Sequence, residues 1–438
     1  MNRRAPFILT AVSTFILTAT FAHAEDWTRF RGNGGEGVAS KPVPTEWSPD
    51  KNIKWQVDLP GAGVSCPIVI GDKIFLTTYT GYGEDRANLG NPEDLQRHLV
   101  CLDRKTGKEL WKKTVDAADN EDAYRGMGVP EHGYASHTPV SDGESVFAFF
   151  GKSGVYAYDL DGKELWNKKV GTGSDDRGWG SASSPVLYKN VVIVPAICES
   201  VAIYGFDKKT GKELWKQEAD GLRMSWATPQ IVKAENGQED LVIGVPNEIW
   251  GMNPETGKLR WLCSGLEGNS FYTSTTAKDG IIYASVGGRM GGGSIAVKAG
   301  GKKDVTESHV VWTGNDQTSY ATPVVHKGHM FLLSRGTATV VNAKDGKQVK
   351  KQRLSTSGSS GGGGRRGRGS DYSSPVVAGD HLYYIKRNGD THVYTADAEF
   401  KEVSVNSVTK DNEIFSASPV VVDGQLLLRS DKKLYCIE

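Results

Sequence analysis

One phrase, repeated along almost the whole chain, constrains the fold more than any other feature of the sequence. It begins with a small residue, Ser or Thr, Pro and Val, followed by a Gly-Asp or Asp-Gly turn and an apolar strand. Openings of this kind with the proline lie at 65–68, 137–140, 183–186, 227–230, 321–324, 373–376 and 417–420, and a degenerate one without it lies at 273–276. A short unit that recurs eight times is typical of a propeller or solenoid.

The second half of the phrase is Asp-x-x-Thr-Gly-Lys-Glu-Leu-Trp. It occurs at Asp103–Trp111, Asp159–Trp166, Asp207–Trp215 and Asn253–Trp261, and more loosely around Trp312. Glycine supplies the positive φ that a tight hairpin needs, and a strand with the Trp follows it. Each unit therefore predicts a four-stranded antiparallel blade, and the chain predicts an all-β, eight-bladed β-propeller.

The two ends of the repeat array predict how the ring closes. The last unit stops at 434–438 without a closing Trp strand, whereas an orphan strand at 53–57 precedes the first unit. We expect this N-terminal strand to complete the eighth blade, because closure removes the free edges of the ring. Seven blades is the alternative if the degenerate unit at 273–276 is not a blade.

The N-terminus predicts export. Residues 1–24 combine Arg3 and Arg4, an apolar stretch over 5–21 and an A-x-A site at 22–24, the pattern of a signal peptide. Residues 25–438 are then one propeller domain of a periplasmic or secreted protein, with no later stretch apolar enough to span a bilayer.

Charge and cysteine usage narrow the function classes. Lys plus Arg and Asp plus Glu both number 52, so no global charge favours nucleic acid or an anionic membrane. The five cysteines form no C-x-x-C motif; their odd number leaves at least one thiol free, and most of them are expected to be buried small hydrophobes.

Three insertions depart from the repeat, near 79–97, 115–134 and 354–370. Loops of this kind usually carry the function of a propeller. In the second, Asp119, Glu121 and Asp122 are interpreted as a solvated acidic turn, with Ca²⁺ binding as the alternative. His132 and His137 are interpreted as hydrogen-bonded loop histidines, with zinc binding as the alternative. The third contains a Gly-Arg tract, a cationic loop suited to an anionic glycan or lipid headgroup.

The two repeated phrases resemble the PQQ-type repeat family, which includes quinoprotein dehydrogenases and the propeller lipoprotein of the outer-membrane β-barrel assembly machine. The resemblance runs from about Trp27 to Glu438. The opening 26–32, with 52–55 and 59–61, looks like the secreted propellers of planctomycete-type bacteria. Such a resemblance implies a fold and does not by itself imply a chemistry.

The resemblance also implies a cofactor site. Quinoprotein dehydrogenases stack PQQ on a Trp over the ring axis and bind Ca²⁺ through a Glu, an Asn and an Asp that serves as base. Glu199, Trp226 and Asn247 resemble the Glu, the stacking Trp and the Asn. All three are therefore implied to bind PQQ, with Glu199 and Asn247 as Ca²⁺ ligands.

The chain departs from these enzymes at the catalytic position. Residues 269–274 contain no Asp where the base is expected, and the chain lacks both a vicinal Cys pair and a C-x-x-C-H haem motif. Without a base, alcohol oxidation lacks its general catalyst. The sequence thus assigns no catalytic residue and favours a non-catalytic binding or scaffold module of the cell envelope, with an envelope protein or glycan as partner. A PQQ- and Ca-dependent alcohol or sugar dehydrogenase of reduced form is the alternative.

Overall fold

The computed structural model describes residues 25–126, 128–287, 291–355 and 370–438. The predicted signal peptide (1–24) and the Gly-Arg tract within 356–369 lie outside the described residues. The described residues form eight four-stranded antiparallel sheets arranged as the blades of one ring. The prediction of an all-β, eight-bladed propeller is confirmed.

Each repeat unit forms one blade. In blades 1 to 7 the four strands run in chain order from the ring axis outwards, whereas the outer strand of blade 8 comes from the N-terminal end of the chain. Blades 1 to 4 consist of Ile68–Ile70, Lys73–Thr80, Gln96–Asp103 and Glu109–Asp116; Val140–Ser141, Ser145–Phe149, Val155–Asp159 and Glu164–Lys168; Val186–Tyr188, Val191–Ala196, Ala202–Asp207 and Glu213–Glu218; Gln230–Lys233, Glu239–Val245, Glu248–Met252 and Leu259–Ser264. Blades 5 to 8 consist of Thr276–Lys278, Ile281–Gly287, Gly292–Lys298 and Val310–Gly314; Val324–His326, His329–Ser334, Thr337–Asn342 and Gln348–Arg353; Val376–Ala378, His381–Ile385, Thr391–Thr395 and Glu402–Asn406; Val420–Val422, Gln425–Arg429, Lys433–Ile437 and the N-terminal strand Ile53–Asp58.

The ring closes as the sequence predicts. Strand Ile53–Asp58 pairs antiparallel with Lys433–Ile437, so the eighth blade contains both ends of the repeat array. The degenerate unit forms the complete fifth blade, which excludes the seven-bladed alternative. Two short strands are added at edges: Val38–Ala39 lies parallel to the inner strand of blade 7, and Lys303–Asp304 lies parallel to the outer strand of blade 4.

Contacts between neighbouring blades explain why Trp and Gly recur together. The Trp of one outer strand lies against the turn glycine of the next blade, as in the pairs Trp55–Gly107, Trp111–Gly162, Trp166–Gly211, Trp215–Gly257 and Trp312–Gly346. At Gly107, φ is +72° and an added Cβ would lie 2.6 Å from the Trp55 ring, so both the turn and the packing require glycine. Trp55 comes from the N-terminal strand, which therefore supplies blade 8 with the same contact.

The antiparallel order gives the ring two distinct ends. Links between blades, and loops between second and third strands, lie at the end that we call the upper face; the Thr-Gly-Lys turns lie at the lower face. The first insertion forms a small hairpin, Tyr82–Asp85 and Asn88–Gly90, followed by the 3-10 turn Pro92–Asp94 on the upper face. The remaining helical segments are short: Val129–His132, Gly151–Ser153, Ile197–Ser200, Asp220–Leu222 and Thr306–His309.

The described residues include no helix that is long and apolar enough to cross a bilayer. All five cysteines are buried, as expected for most of them, and all five are free. Hydrophobic clusters fill the spaces between adjacent blades, so the core is divided among blade interfaces and leaves the axis to other residues.

Candidate functional site

A ring of hydroxyl groups surrounds the axis. In blades 2 to 8, the Ser or Thr at the second position of the repeat opening accepts a hydrogen bond. The donor is the backbone N–H of the residue at the same position in the preceding blade. The first of these bonds runs from Cys66 N–H to Thr138 Oγ1, at 3.0 Å. The same bond, at 2.8–3.0 Å, joins Thr138 to Ser184, Ser184 to Thr228, Thr228 to Ser274, Ser274 to Thr322, Thr322 to Ser374 and Ser374 to Ser418. Cys66 occupies the eighth position, where burial raises its pKa. Ser274 fills its place in the ring, which explains why blade 5 forms without the proline.

The N-terminal segment before the first blade closes the lower end of the axis. Arg29 donates to the carbonyl oxygen of Pro229 at 2.9 Å, and Arg31 donates to those of Pro323 and Pro375 at 2.9 and 3.0 Å. Both arginines are buried, and burial lowers the pKa of each to about 10. Both guanidinium groups therefore stay charged near neutral pH, and they donate hydrogen bonds to backbone carbonyl oxygens of the ring. We call residues 26–37 the plug.

The upper end of the axis holds a cavity of about 460 Å³, with Phe30 of the plug among its lining residues. Five partly exposed aromatic side chains line it and form a continuous arc. Successive ring centroids lie 5.5, 5.4, 5.5 and 4.7 Å apart along the order Trp179, Trp226, Tyr272, Tyr320 and Tyr372. Arg177 lies 4.7 Å from the Trp179 ring centroid and donates to the Tyr272 hydroxyl at 3.0 Å, which supports this end of the arc. An aromatic cavity with a ring of hydroxyls is suited to binding a small ligand.

Among the described residues, the ionisable side chains that line this cavity, apart from tyrosines and Cys66, are Glu131 and His132. The Glu131 carboxylate lies 3.0 Å from Arg387 and 3.2 Å from Arg86. The two ring nitrogens of His132 bond to the Ser136 hydroxyl and the Trp179 carbonyl, at 2.6 and 2.7 Å, and burial lowers its pKa. Both groups already have partners within the protein.

The three residues implied by resemblance occupy different surroundings. Trp226 lines the axial cavity and donates through Nε1 to the Gly180 carbonyl at 2.8 Å. Asn247 lies at φ +66° in an exposed hairpin of blade 4, and its side-chain oxygen accepts a hydrogen bond from Gly268 N–H at 3.1 Å. This bond occupies one of the two lone pairs of the oxygen that would bind Ca²⁺. The shared PQQ and Ca²⁺ site stays a prediction.

Glu199 is buried in the short helix Ile197–Ser200, and is absent from the residues lining the axial cavity. Its Oε2 atom is buried without a hydrogen-bond partner among the described residues. Burial raises its pKa to about 7; hydrogen bonding by Ser181 and the charge of Lys152 oppose this rise, and Asp122 adds to it. Glu199 is therefore a buried acid whose protonation changes near neutral pH.

The two histidine interpretations are confirmed by hydrogen bonding. His137 Nε2 lies 2.9 Å from the Ser181 hydroxyl, and burial lowers its pKa to about 3. Within the described residues, no group of three or more His, Cys, Asp or Glu side chains could hold a metal ion.

The interpretation of 119–122 as a solvated acidic turn is wrong for two of its residues. Arg97 forms two bonds of 2.7 Å to the Glu121 carboxylate, and Lys152 lies 3.0 Å from Asp122. Arg97 and Lys152 are each 4% exposed at the side chain, so the cations draw the acids inwards. These pairs fix the link at 115–134 to blades 1 and 2.

Sequence reasoning missed the plug and most of the arc. Trp226, Tyr272, Tyr320 and Tyr372 each lie two residues before the ring hydroxyl of their blade. Alignment of the eight openings on that hydroxyl would have revealed them as one set. The plug arginines carried no such signal, because their partners lie in distant blades.

Comparison with known proteins places these features in a family. The curated relatives include a polyvinylalcohol dehydrogenase from a Pseudomonas species, 23% identical over 283 residues, which are 53% of this chain and 38% of that protein. The chain spans well under half the length of the curated relatives that it matches.

Solved structures match over most of the ring. BamB from Moraxella catarrhalis has a TM-score of 0.58 at 13% identity, over 88% of this chain and 96% of that one. A europium-containing methanol dehydrogenase has a TM-score of 0.60 at 10% identity, over 94% and 98%. At these identities the likeness shows the fold alone. The family model for outer membrane protein assembly factor BamB, however, matches residues 53–221 and 199–438, and the chain belongs to that family.

Proposed function

We propose that this protein is an extracytoplasmic binding propeller that holds a ligand or partner at its upper face without catalysing a reaction. The observation that carries the proposal is the axial cavity. Partly exposed aromatic rings line this ligand-sized space, while Glu131 is already paired with Arg387 and His132 is already bonded to the Trp179 carbonyl.

Catalysis at this cavity would need a group free to move a proton. Glu131 lies between two arginines, and His132 has both ring nitrogens bonded. Either group would have to break existing contacts before it could act as a base. Binding needs no such change, because tyrosine, tryptophan and ring hydroxyls already present both apolar and polar contacts.

The upper face also supports a partner of the cell envelope. The buried pairs Arg97–Glu121 and Lys152–Asp122 hold a long link in one arrangement. A surface fixed before binding loses little conformational entropy when a partner docks. The predicted signal peptide supports a location outside the cytoplasm, and the family's description as an outer membrane assembly factor favours an envelope protein or glycan as partner.

A second candidate is a reduced PQQ- and Ca-dependent dehydrogenase. Trp226 lies at the axial cavity and Glu199 has a buried oxygen without a described partner, which favour this candidate. When bound, PQQ would supply the two-electron oxidant for an alcohol or sugar. Trp226 would provide a stacking surface, and Glu199 and Asn247 would provide oxygen ligands for Ca²⁺.

A titration with PQQ and Ca²⁺ separates the two candidates. We would follow intrinsic Trp fluorescence and then dye-linked oxidation of simple alcohols and aldoses. The binding propeller predicts no PQQ-dependent turnover. Saturable quenching with turnover that Glu199→Gln abolishes would overturn the proposal in favour of the dehydrogenase.

A further inference from the structure

The aromatic arc occupies only one side of the axial cavity. At the position two residues before the ring hydroxyl, blades 4 to 7 carry large aromatic side chains, whereas blades 8, 1, 2 and 3 carry Ser416, Val64, Ser136 and Ala182. The unequal walls leave room beside the rings. Five rings in succession form a track longer than a single flat ligand needs, which favours a ligand made of several linked rings.

A basic cavity adjoins the far end of this track. It has a volume of about 490 Å³, lies between blades 6 and 7, and shares Tyr320 and Ser370 with the axial cavity. Of the described residues, Arg335, Lys386 and Arg387 line it, against one acid, Asp371. The Asp371 carboxylate already accepts a hydrogen bond from the Arg387 backbone N–H at 2.9 Å. The charge of this cavity therefore favours an anion.

Arg387 gives the cavity a built polar group. It is 6% exposed, and its Nη2 atom lies 3.0 Å from Glu131. Its Nε and Nη1 atoms are buried without a hydrogen-bond partner among the described residues. A buried guanidinium group with unused N–H donors is destabilising until an acceptor arrives, and a carboxylate or sulfate presents the oxygens that such a group binds best.

We propose that this upper-face corner is a binding site for an acidic saccharide, in which sugar rings stack along Tyr372, Tyr320 and Tyr272 and an acidic substituent reaches Arg387. The inference deepens the proposed function and rests on it. Sugar rings have apolar C–H faces that suit aromatic surfaces, and their hydroxyls can receive hydrogen bonds from the Ser and Thr hydroxyls of the ring. The shared anionic chemistry is a carboxylate or a sulfate.

The test measures binding of matched saccharides to the full protein by calorimetry. The probes are trigalacturonate, its fully methyl-esterified and therefore uncharged form, and a sulfated galactan oligosaccharide of the same length. We expect at least one acidic probe to bind roughly tenfold or more tightly than the ester, since a charge-assisted pair is lost with the ester. The better acidic probe identifies the preferred anion.

Variants locate the site. Arg387→Gln should remove the preference for the acidic probe, and Tyr320→Leu should weaken the acidic and esterified forms alike. Arg353→Gln is the matched control, because Arg353 is exposed on the outer strand of blade 6, away from both cavities. The Arg353→Gln variant should bind all three probes with the affinities of the wild type. Circular dichroism of each variant establishes whether it is folded. If Arg387→Gln does not fold, Tyr320→Leu still tests the site.

Equal affinity for charged and esterified probes, retention of the preference in Arg387→Gln, or no binding by folded wild type would each overturn this inference. None of those results would overturn the non-catalytic binding propeller. PQQ-dependent turnover would instead refute the proposed function, and the inference that rests on it would fall as well.

Discussion

Substitution of Glu199 by glutamine should change how stability depends on pH. Burial raises the pKa of Glu199 from 4.5 to about 7, so the folded protein binds this proton more tightly than the unfolded chain does. The contribution of this raised pKa to the free energy of unfolding is fully present below about pH 4.5 and is lost as the pH rises through 7. A rise of this size corresponds to about 3 kcal/mol at the high-pH limit. The glutamine side chain is neutral at every pH and has nearly the same shape as the protonated acid.

We therefore expect Glu199→Gln to match the wild type at pH 4, below the pKa of the unfolded carboxyl, and to be more stable at pH 8 by about 3 kcal/mol. Urea unfolding followed by Trp fluorescence, at both pH values and in the presence of a chelator, measures the difference. The pKa of His137 is lowered from 6.5 to about 3, so both proteins lose stability as the pH falls below about 6.5; this contribution is the same in both and cancels from the difference between them. Equal stability of the two proteins at pH 8 would refute the reasoning from burial.

Calcium provides a second reading of the same experiment. If Glu199 is a Ca²⁺ ligand, added Ca²⁺ should stabilise the wild type at pH 8 and leave Glu199→Gln unchanged. The binding propeller without this metal predicts no difference between the two proteins in their response to Ca²⁺. The measurement thus bears on the second candidate function without any activity assay.

Three further predictions concern the ring itself. Gly107→Ala should lower the free energy of unfolding by at least about 2 kcal/mol more than Gly328→Ala, because both have similar φ values but only Gly107 lies against a Trp; urea unfolding compares them. Trp111→Ala should cost about 3 kcal/mol in the same assay, since it removes the contact with Phe75 and the bond to the Leu160 carbonyl. Arg31→Ala should cost about 2 to 4 kcal/mol by leaving two buried carbonyls unpaired, and an unchanged thermal midpoint would contradict the bridging role of the plug.

The fold could be predicted because its information is local and repeated. Most blades have a turn glycine and a Trp on the outer strand, and all but the first have a Ser or Thr at the ring, and these lie within one unit of sequence. The orphan strand at 53–57 could be assigned to blade 8 because a closed ring leaves only one place for it. Ser274 retained the ring contact even where the proline was missing, which is why the degenerate unit still formed a blade.

The candidate site was predicted only in part. Trp226, which the resemblance implied as a stacking residue over the axis, lines the axial cavity, and its role in binding PQQ stays a prediction. The same resemblance did not reveal that Asn247 would be exposed and bonded to Gly268. The length of a hairpin decides such a position, and resemblance of a short phrase does not fix it. Glu121 was interpreted as solvated because its partner, Arg97, lies on a strand of blade 1, outside the link that contains the acid.

By itself, the sequence determined the four-stranded blade, its strand order and the way in which the ring closes, because turns and strand pairing act between neighbouring residues. The complete fifth blade in the structure then decided between eight blades and seven. Only the tertiary structure decided what fills the axis. Arg29 reaches across about half the chain to Pro229, and the rings of Trp226, Tyr272 and Tyr320 meet only because successive blades converge on one line. Arg387, likewise, became a buried group with unused donors only when blades 6 and 7 closed around it. The burial and desolvation of these side chains depend on the whole ring, so the sequence of a single repeat does not determine them.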